Sequence, residues 1–316
     1  MTELSDGTKK LLTISMLRGV GPSALKKVSA SPNFLKYSAE DLARELPAAS
    51  KALQDPDAWL RAVEDAQRQI EEAGRYESRI LSPLDAEYPS LLSATKDDPF
   101  LIFVRGRLSD TPRRSVAVIG TRQPTQHGVL IAQRISQFFV GNGWSVVSGL
   151  ALGCDAIAHQ AALDAGGHTI AVLAHGLHTV SPARHRKLAD EILEGGGALI
   201  SEYRFGQDPL PQQFVKRDRT QAGLSQGVIM VQSDLKGGSL YASRASLSYG
   251  RWLAVPYPTA LDFANGEPKI QANLVISDGS DKQKEEILAC SPSDLGRVIV
   301  LRGRGDYPSL IRHRVD

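Results

Sequence analysis

The stretch Ser115-Val116-Ala117-Val118-Ile119-Gly120-Thr121-Arg122 decides how this chain folds. Four apolar residues follow one another without a polar break and stop at a glycine. A strand buried on both faces reads this way, whereas a strand with one wet face alternates. Beyond Gly128, Ile131, Ile135, Phe138 and Phe139 recur at spacings of three and four, the apolar stripe of a helix. Trp144-Ser145-Val146-Val147 is the next strand. The unit then repeats. Apolar runs at 169–173, 198–200, 228–231 and 252–255 predict strands, with helices near 154–165, 184–194 and 239–249. Upstream, Phe100-Leu101-Ile102-Phe103-Val104 adds a buried strand. Strands alternating with amphipathic helices predict an α/β protein. Its centre is an extended Rossmann-like, mostly parallel sheet with helices on both faces. Ligands of such sheets sit at the carboxyl ends of the strands.

Outward from this core the pattern changes. Residues 8–75 read as helical, with Gly19-Val20-Gly21-Pro22 breaking the run of Leu11, Leu12, Ile14, Met16 and Leu17. This is a helix–turn–helix whose glycine hairpin could meet a phosphate or simply connect two helices. A further helix runs from Asp57-Ala58-Trp59-Leu60 to Ala73, and Tyr88-Pro89-Ser90-Leu91-Leu92 looks like a docking segment. The stretch 256–282 is looser. A short helix and a Val298-Ile299-Val300-Leu301 strand follow it. The expected division is a helical segment 1–76, a core 77–282 and an extension 283–316.

The totals narrow the function. With 37 Lys and Arg against 35 Asp and Glu the net charge is +2, so a nucleic-acid site must be a local patch. Two cysteines, Cys154 and Cys290, form no CxxC pair, which speaks against a zinc ribbon or disulfide framework and for a reduced, cytoplasmic setting. MTELSDGTKK lacks the pattern of a signal peptide. No apolar run approaches the ~18 residues of a membrane span, so no membrane partner is expected.

Each strand end carries a glycine or basic turn. Gly120-Thr121-Arg122 offers close backbone approach, a hydroxyl and a planar guanidinium fork to an anion, without the lysine of a Walker loop. No ATP hydrolysis is therefore expected. Ser148-Gly149 and Gly153-Cys154-Asp155 make a second such turn, with Asp155 readable as a helix cap or a general base. His175 and His178 invite a metal, but no third ligand lies nearby in sequence. Arg184-His185-Arg186-Lys187 puts cations on the first turn of a helix, where the dipole disfavours them. Lys216, Arg217 and Arg219 precede Ala222-Gly223-Leu224-Ser225, and Lys236-Gly237-Gly238-Ser239 precedes a helix bearing Arg244.

Taken together, these turns resemble the DNA-processing protein A (DprA/Smf) family. SGLALGCDAIAH at 148–159 is similar to its SGLARGIDAAAH, and GTR at 120–122 to its GSR. GLHTVSPARHRKLADEI at 176–192, SEY at 201–203, FVKRDRTQAGLS at 214–225 and GGSLYASRASLSYGRWLAVP at 237–256 follow the same order. The resemblance implies a Rossmann module preceded by a small SAM or helix–hairpin–helix-like domain. It also implies single-stranded DNA binding, help in loading a RecA-type recombinase during DNA uptake, transformation or recombination, and a homodimer. It implies no catalysis, cofactor or metal.

The DNA-binding set expected on this reading is Gly120, Thr121, Arg122, Ser148, Gly149, Gly153, Arg186, Lys187, Lys216, Arg217, Arg219, Gly237, Gly238, Ser239 and Arg244. Leu152, Cys154, His178, Ser181, Val215 and Asp218 depart from the family's usual residues. Many members end in a winged helix, for which 283–316 is too short. The competing reading is a Rossmann-like enzyme or sensor of a small nucleotide-derived ligand, for which Asp155 and Glu202 are the available strand-end carboxylates. Within the DNA reading, the arginines either line a groove or pair with Asp155, Glu202 and Asp218 as braces. The helical segment is expected to be secondary, so that a chain starting near Asp97 keeps most binding.

Overall fold

The strands are β1 (Ser78–Leu81), β2 (Ile102–Gly106), β3 (Ser115–Ile119), β4 (Ser145–Ser148), β5 (Thr169–Leu173), β6 (Ala198–Ser201), β7 (Gly227–Met230), β8 (Trp252–Pro256) and β9 (Val298–Leu301). They form one sheet in the order β1-β2-β6-β5-β4-β3-β7-β8-β9. The computed structural model describes residues 4–111 and 113–313. Residues 1–3, 112 and 314–316, and with them the outer ends of the segments 1–76 and 283–316, lie outside the described residues.

From β6 through β9 along the sheet all pairing is parallel, while β2 runs antiparallel to β6 and β1 antiparallel to β2. The fold is thus α/β and Rossmann-like, with a mixed sheet rather than a purely parallel one. Residues 78–81 were not read as a strand from the sequence: Ser-Arg-Ile-Leu is too short to show a period.

Side chains alternate across the sheet. Val116 and Val118 face one cluster with Ile131, Ile135 and Phe139 of the helix Gln126–Gly141. Ala117 and Ile119 face the other, with Leu240 and Leu247 of the helix Ser239–Ser248. Both faces are covered, which is why the strands contain no alternating polar residue. The segment at 283–313 adds β9 to the sheet beside β8, with Ala254 paired to Ile299.

The N-terminal helices Asp6–Met16, Pro22–Ser29 and Ala58–Arg75 share a core with the sheet. Leu11, Leu12 and Ile14 belong to the same buried cluster as Phe103, Leu173 and Phe205. Arg204 donates to the carbonyl of Ser15, and Gln69 and Phe205 exchange two hydrogen bonds of 3.2 and 2.8 Å. This helical layer therefore grips the loop that leaves the carboxyl end of β6.

A cationic cavity where the strand order reverses

Chain order runs outward from β3 in both directions: β4, β5 and β6 to one side, β7, β8 and β9 to the other. Loops leaving β3 and β7 therefore part in opposite directions, and a crevice opens between them. A cavity of about 540 Å³ occupies this place.

Of the residues expected to bind, Gly120, Thr121 and Arg122 line it from β3, and Gly237, Gly238 and Ser239 from β7. Arg217 reaches it from the helix Pro211–Gly223. Ser148, Gly149 and Gly153 stand behind as support. The Ser148 hydroxyl donates to the carbonyl of Val118 at 2.7 Å. Gly153 has φ of +74°, and a Cβ there would lie 2.5 Å from the Thr121 carbonyl oxygen. A side chain would push the two turns apart. In its absence the Cys154 amide donates to Thr121 at 3.1 Å, and the Thr121 amide donates to Gln232 at 2.8 Å. Three strand-end loops are thereby welded into one rim.

The cations divide into two sets. Arg122 and Lys236 are exposed on the rim, and Lys269 joins them, held 3.1 Å from Asp234. No hydrogen bond or ion pair holds the Arg122 head among the described residues.

Arg217 behaves differently. Its side chain is 4% exposed. It donates to the Gly149 carbonyl at 2.7 Å and to the Val172 carbonyl, and its Nε lies 3.1 Å from Asp218. The guanidinium lies against Gly149, where any Cβ would come within 2.6 Å of it. Arg219 donates to the buried Glu202 carboxylate at 2.6 Å, and Lys216 approaches the same group at 3.7 Å with its head over Tyr203. Arg244 donates twice to the Ile287 carbonyl, at 3.0 and 2.8 Å, on the side of the helix Asp281–Leu288. Arg186 and Lys187 are exposed on the first turn of the helix Arg186–Glu194, with Lys187 paired to Glu191 at 3.2 Å. They do not line the cavity.

The floor is acidic. Asp155 is buried and accepts from the amides of Gly149 and Ala151 at 3.1 and 3.2 Å, so it holds the turn rather than capping its helix. Burial pushes its carboxyl above the usual range, against the pull of Arg217. Burial also raises Asp218 to about 6, again opposed by Arg217 and assisted by the Asp155 charge. His159 is buried beside Thr169 and pushed down to about 3, which keeps its ring neutral. Among the described residues no group of three or more His, Cys, Asp or Glu side chains is arranged to hold a metal. His178 instead accepts from the Gly206 amide at 3.2 Å.

Sequence reasoning missed Lys269 and Asn273. Lys269 comes from the loose stretch after β8. Asn273 accepts from Ser233 at 3.0 Å and donates to Val231 and Pro256 at 2.9 and 3.1 Å, clamping the ends of β7 and β8. The sequence carries Gln271-Ala272-Asn273 in that loose stretch, without a period to mark its use.

A doubly wound sheet with a cavity at its reversal point defines the Rossmann-like class of fold. Comparison narrows the class. A family model described as DNA recombination-mediator protein A matches residues 79–278, and the chain belongs to that family. Protein Smf of Escherichia coli is 42% identical over 180 residues, 56% of this chain and 48% of that protein. The DNA processing protein DprA of Bacillus subtilis is 34% identical over 186 residues, 58% of this chain and 62% of that one. This chain thus spans about half to three fifths of the length of these relatives.

The structure of DNA processing protein A from Streptococcus pneumoniae superposes with a TM-score of 0.71 at 26% identity, covering 98% of both chains. That from Helicobacter pylori, described for its single-stranded DNA binding mode, gives 0.58 at 25% identity over 76% of this chain and 98% of that one.

Proposed function

We propose that this chain binds the backbone of single-stranded DNA at the reversal-point cavity. On this reading it presents the strand to a RecA-type recombinase, in DNA uptake, transformation or recombination, working as a homodimer and without catalysis of its own. The observation that carries the reading is the division of the cations. Arg122, Lys236 and Lys269 stand on the rim of a cavity whose inner arginine is locked to backbone carbonyls. A free guanidinium on the rim can take two phosphate oxygens at once, and the first-turn amides of Ser239–Ser248 add donors. Membership of a recombination-mediator family supports it, as does the likeness to a relative described for single-stranded DNA binding.

Among the expected contacts, Gly120, Thr121, Arg122, Gly237, Gly238 and Ser239 form the site, with Lys236 and Lys269 added. Lys216, Arg186 and Lys187 are outlying contacts along the same edge. Arg217, Arg219 and Arg244 are braces, because each already spends its donors on protein acceptors.

The test is the affinity of Arg122→Ala for a single strand across a salt series. Losing one charge-assisted phosphate contact weakens binding by about 1–3 kcal/mol. It also shallows the plot of log affinity against log salt by about 0.7. Unchanged affinity in a folded variant removes the cavity from the interface.

The cavity volume of about 540 Å³ also suits a small nucleotide. Mononucleotide competing as well as the oligonucleotide would favour that reading.

A further inference from the structure

The segment between β8 and Lys269 carries the two most exposed large apolar side chains among the described residues, Leu261 at 68% and Phe263 at 65%. They lie on the short helix Ala260–Ala264, which Thr259 caps through its side chain. We propose that Phe263, with Leu261 beside it, is a stacking platform for bases of the strand whose phosphates enter the cavity.

The inference rests on the proposed function and extends it from backbone to base. Its first support is continuity with the site. Phe263 stands six positions before Lys269, a cavity residue, so the two lie within roughly 20 Å. The Glu267 amide donates back to the Asp262 carbonyl at 3.1 Å, which folds the connection and shortens the reach. At the far end Asn273 fixes the segment to the ends of β7 and β8, on the strand-end side where the cavity opens.

Its second support is charge. Asp262, the carboxylate between the two side chains, is buried on the side of His127. Residues 260–266 then show solvent an aromatic ring and an aliphatic chain with no exposed carboxylate to repel a polyanion. An aromatic face beside a cationic groove is the arrangement by which sequence-tolerant proteins hold single strands, since every base has a π-face.

The experiment compares wild type, Phe263→Ala, Phe263→Tyr and Arg122→Ala in fluorescence anisotropy. The probes are a short oligothymidylate and an abasic oligomer of the same length, each across a salt series. Loss of one stacked base should cost Phe263→Ala at least about fivefold in affinity for the oligothymidylate. Its salt slope should not change, because no phosphate contact is lost. Phe263→Tyr should restore affinity, and the abasic oligomer should bind wild type and Phe263→Ala alike.

Equal affinity of wild type and Phe263→Ala for oligothymidylate overturns the platform and leaves the cavity standing. An Arg122→Ala variant that binds as wild type does, while Phe263→Ala does not, overturns the cavity and keeps the platform. If Phe263→Ala keeps its DNA affinity but elutes as a smaller species, the apolar pair is a contact between copies and the platform falls.

Discussion

Arg122 and Arg217 are the same residue type, yet they do opposite things. Arg122 follows Gly120-Thr121 at the end of β3, and Arg217 lies midway along the helix Pro211–Gly223. Arg122 ends in solvent, and Arg217 ends under Gly149, bonded to the carbonyl of Gly149 just after β4 and to that of Val172 in β5. Removing Arg217 leaves Asp155 and Asp218 without their shared countercharge. Arg217→Ala should therefore lose about 3–5 kcal/mol of stability, the cost of breaking a buried ion pair. Arg122→Ala should keep its melting temperature. Urea unfolding of the two variants checks the contrast, and equal stability would mean that Arg217 is not a brace.

Asp218 adds a pH dependence with a definite sign. Its folded-state pKa, about 6, stands above the ordinary 3.8, so between these values the folded chain holds a proton that the unfolded chain releases. Acidification through pH 6 therefore adds stability at this site. His159, lowered to about 3, does the reverse: below its ordinary 6.5 the unfolded chain takes up the proton, and stability falls. Between pH 7.5 and 5 the two groups therefore act in opposite directions, and the comparison of variant with wild type isolates the Asp218 part. Asp218→Asn should lose about 1 kcal/mol more than wild type over that interval, because the compensating proton is gone. A variant as shallow as wild type would show that Asp218 ionises normally.

At the scale of elements, the site is made by turns that touch. The β3 and β4 turns approach closely enough that Gly153 has no room for a methyl group. Gly153→Ala combines a left-handed φ with a backbone clash, so strain of about 1–3 kcal/mol is expected, relieved by displacing the 120–122 turn. Calorimetry should show the lower melting temperature, and DNA affinity should fall with it although no contact residue is changed. Gly238, where nothing lies within 4 Å of an added Cβ, is the matched control, and Gly238→Ala should melt like wild type.

Across the whole molecule, the helical layer is not an appendage. Phe205 stacks on Tyr76 and meets Phe103 edge-on, each with ring centroids 5.4 Å apart, so the layer and the sheet close one core. A chain beginning at Asp97 would lose β1, the partner of β2, and bare Phe103 and Phe205 to water. Such a chain should aggregate or unfold well below the full protein in a thermal scan, and the expectation that it keeps most binding is revised accordingly. A truncated chain that melts like the full one would show that the layer only rests on the sheet. No helix among the described residues is long and apolar enough to cross a membrane.

The sequence by itself determined the sheet. Eight of the strands were legible because each contains an unbroken apolar run, the pattern of strands covered on both faces, which the half-buried edge strand β9 also keeps. The glycine turns were legible too, since they punctuate those runs. What only tertiary structure decided was the use of each turn. Which cation stands free depends on which carbonyls come near it, and Gly149, Val172 and Arg217 are brought together by parallel packing rather than by chain neighbourhood. Lys269 and Phe263 were invisible for the same reason. They lie in a stretch without periodicity, and they gain meaning only when Asn273 fastens that stretch to the edge where the strand order turns back.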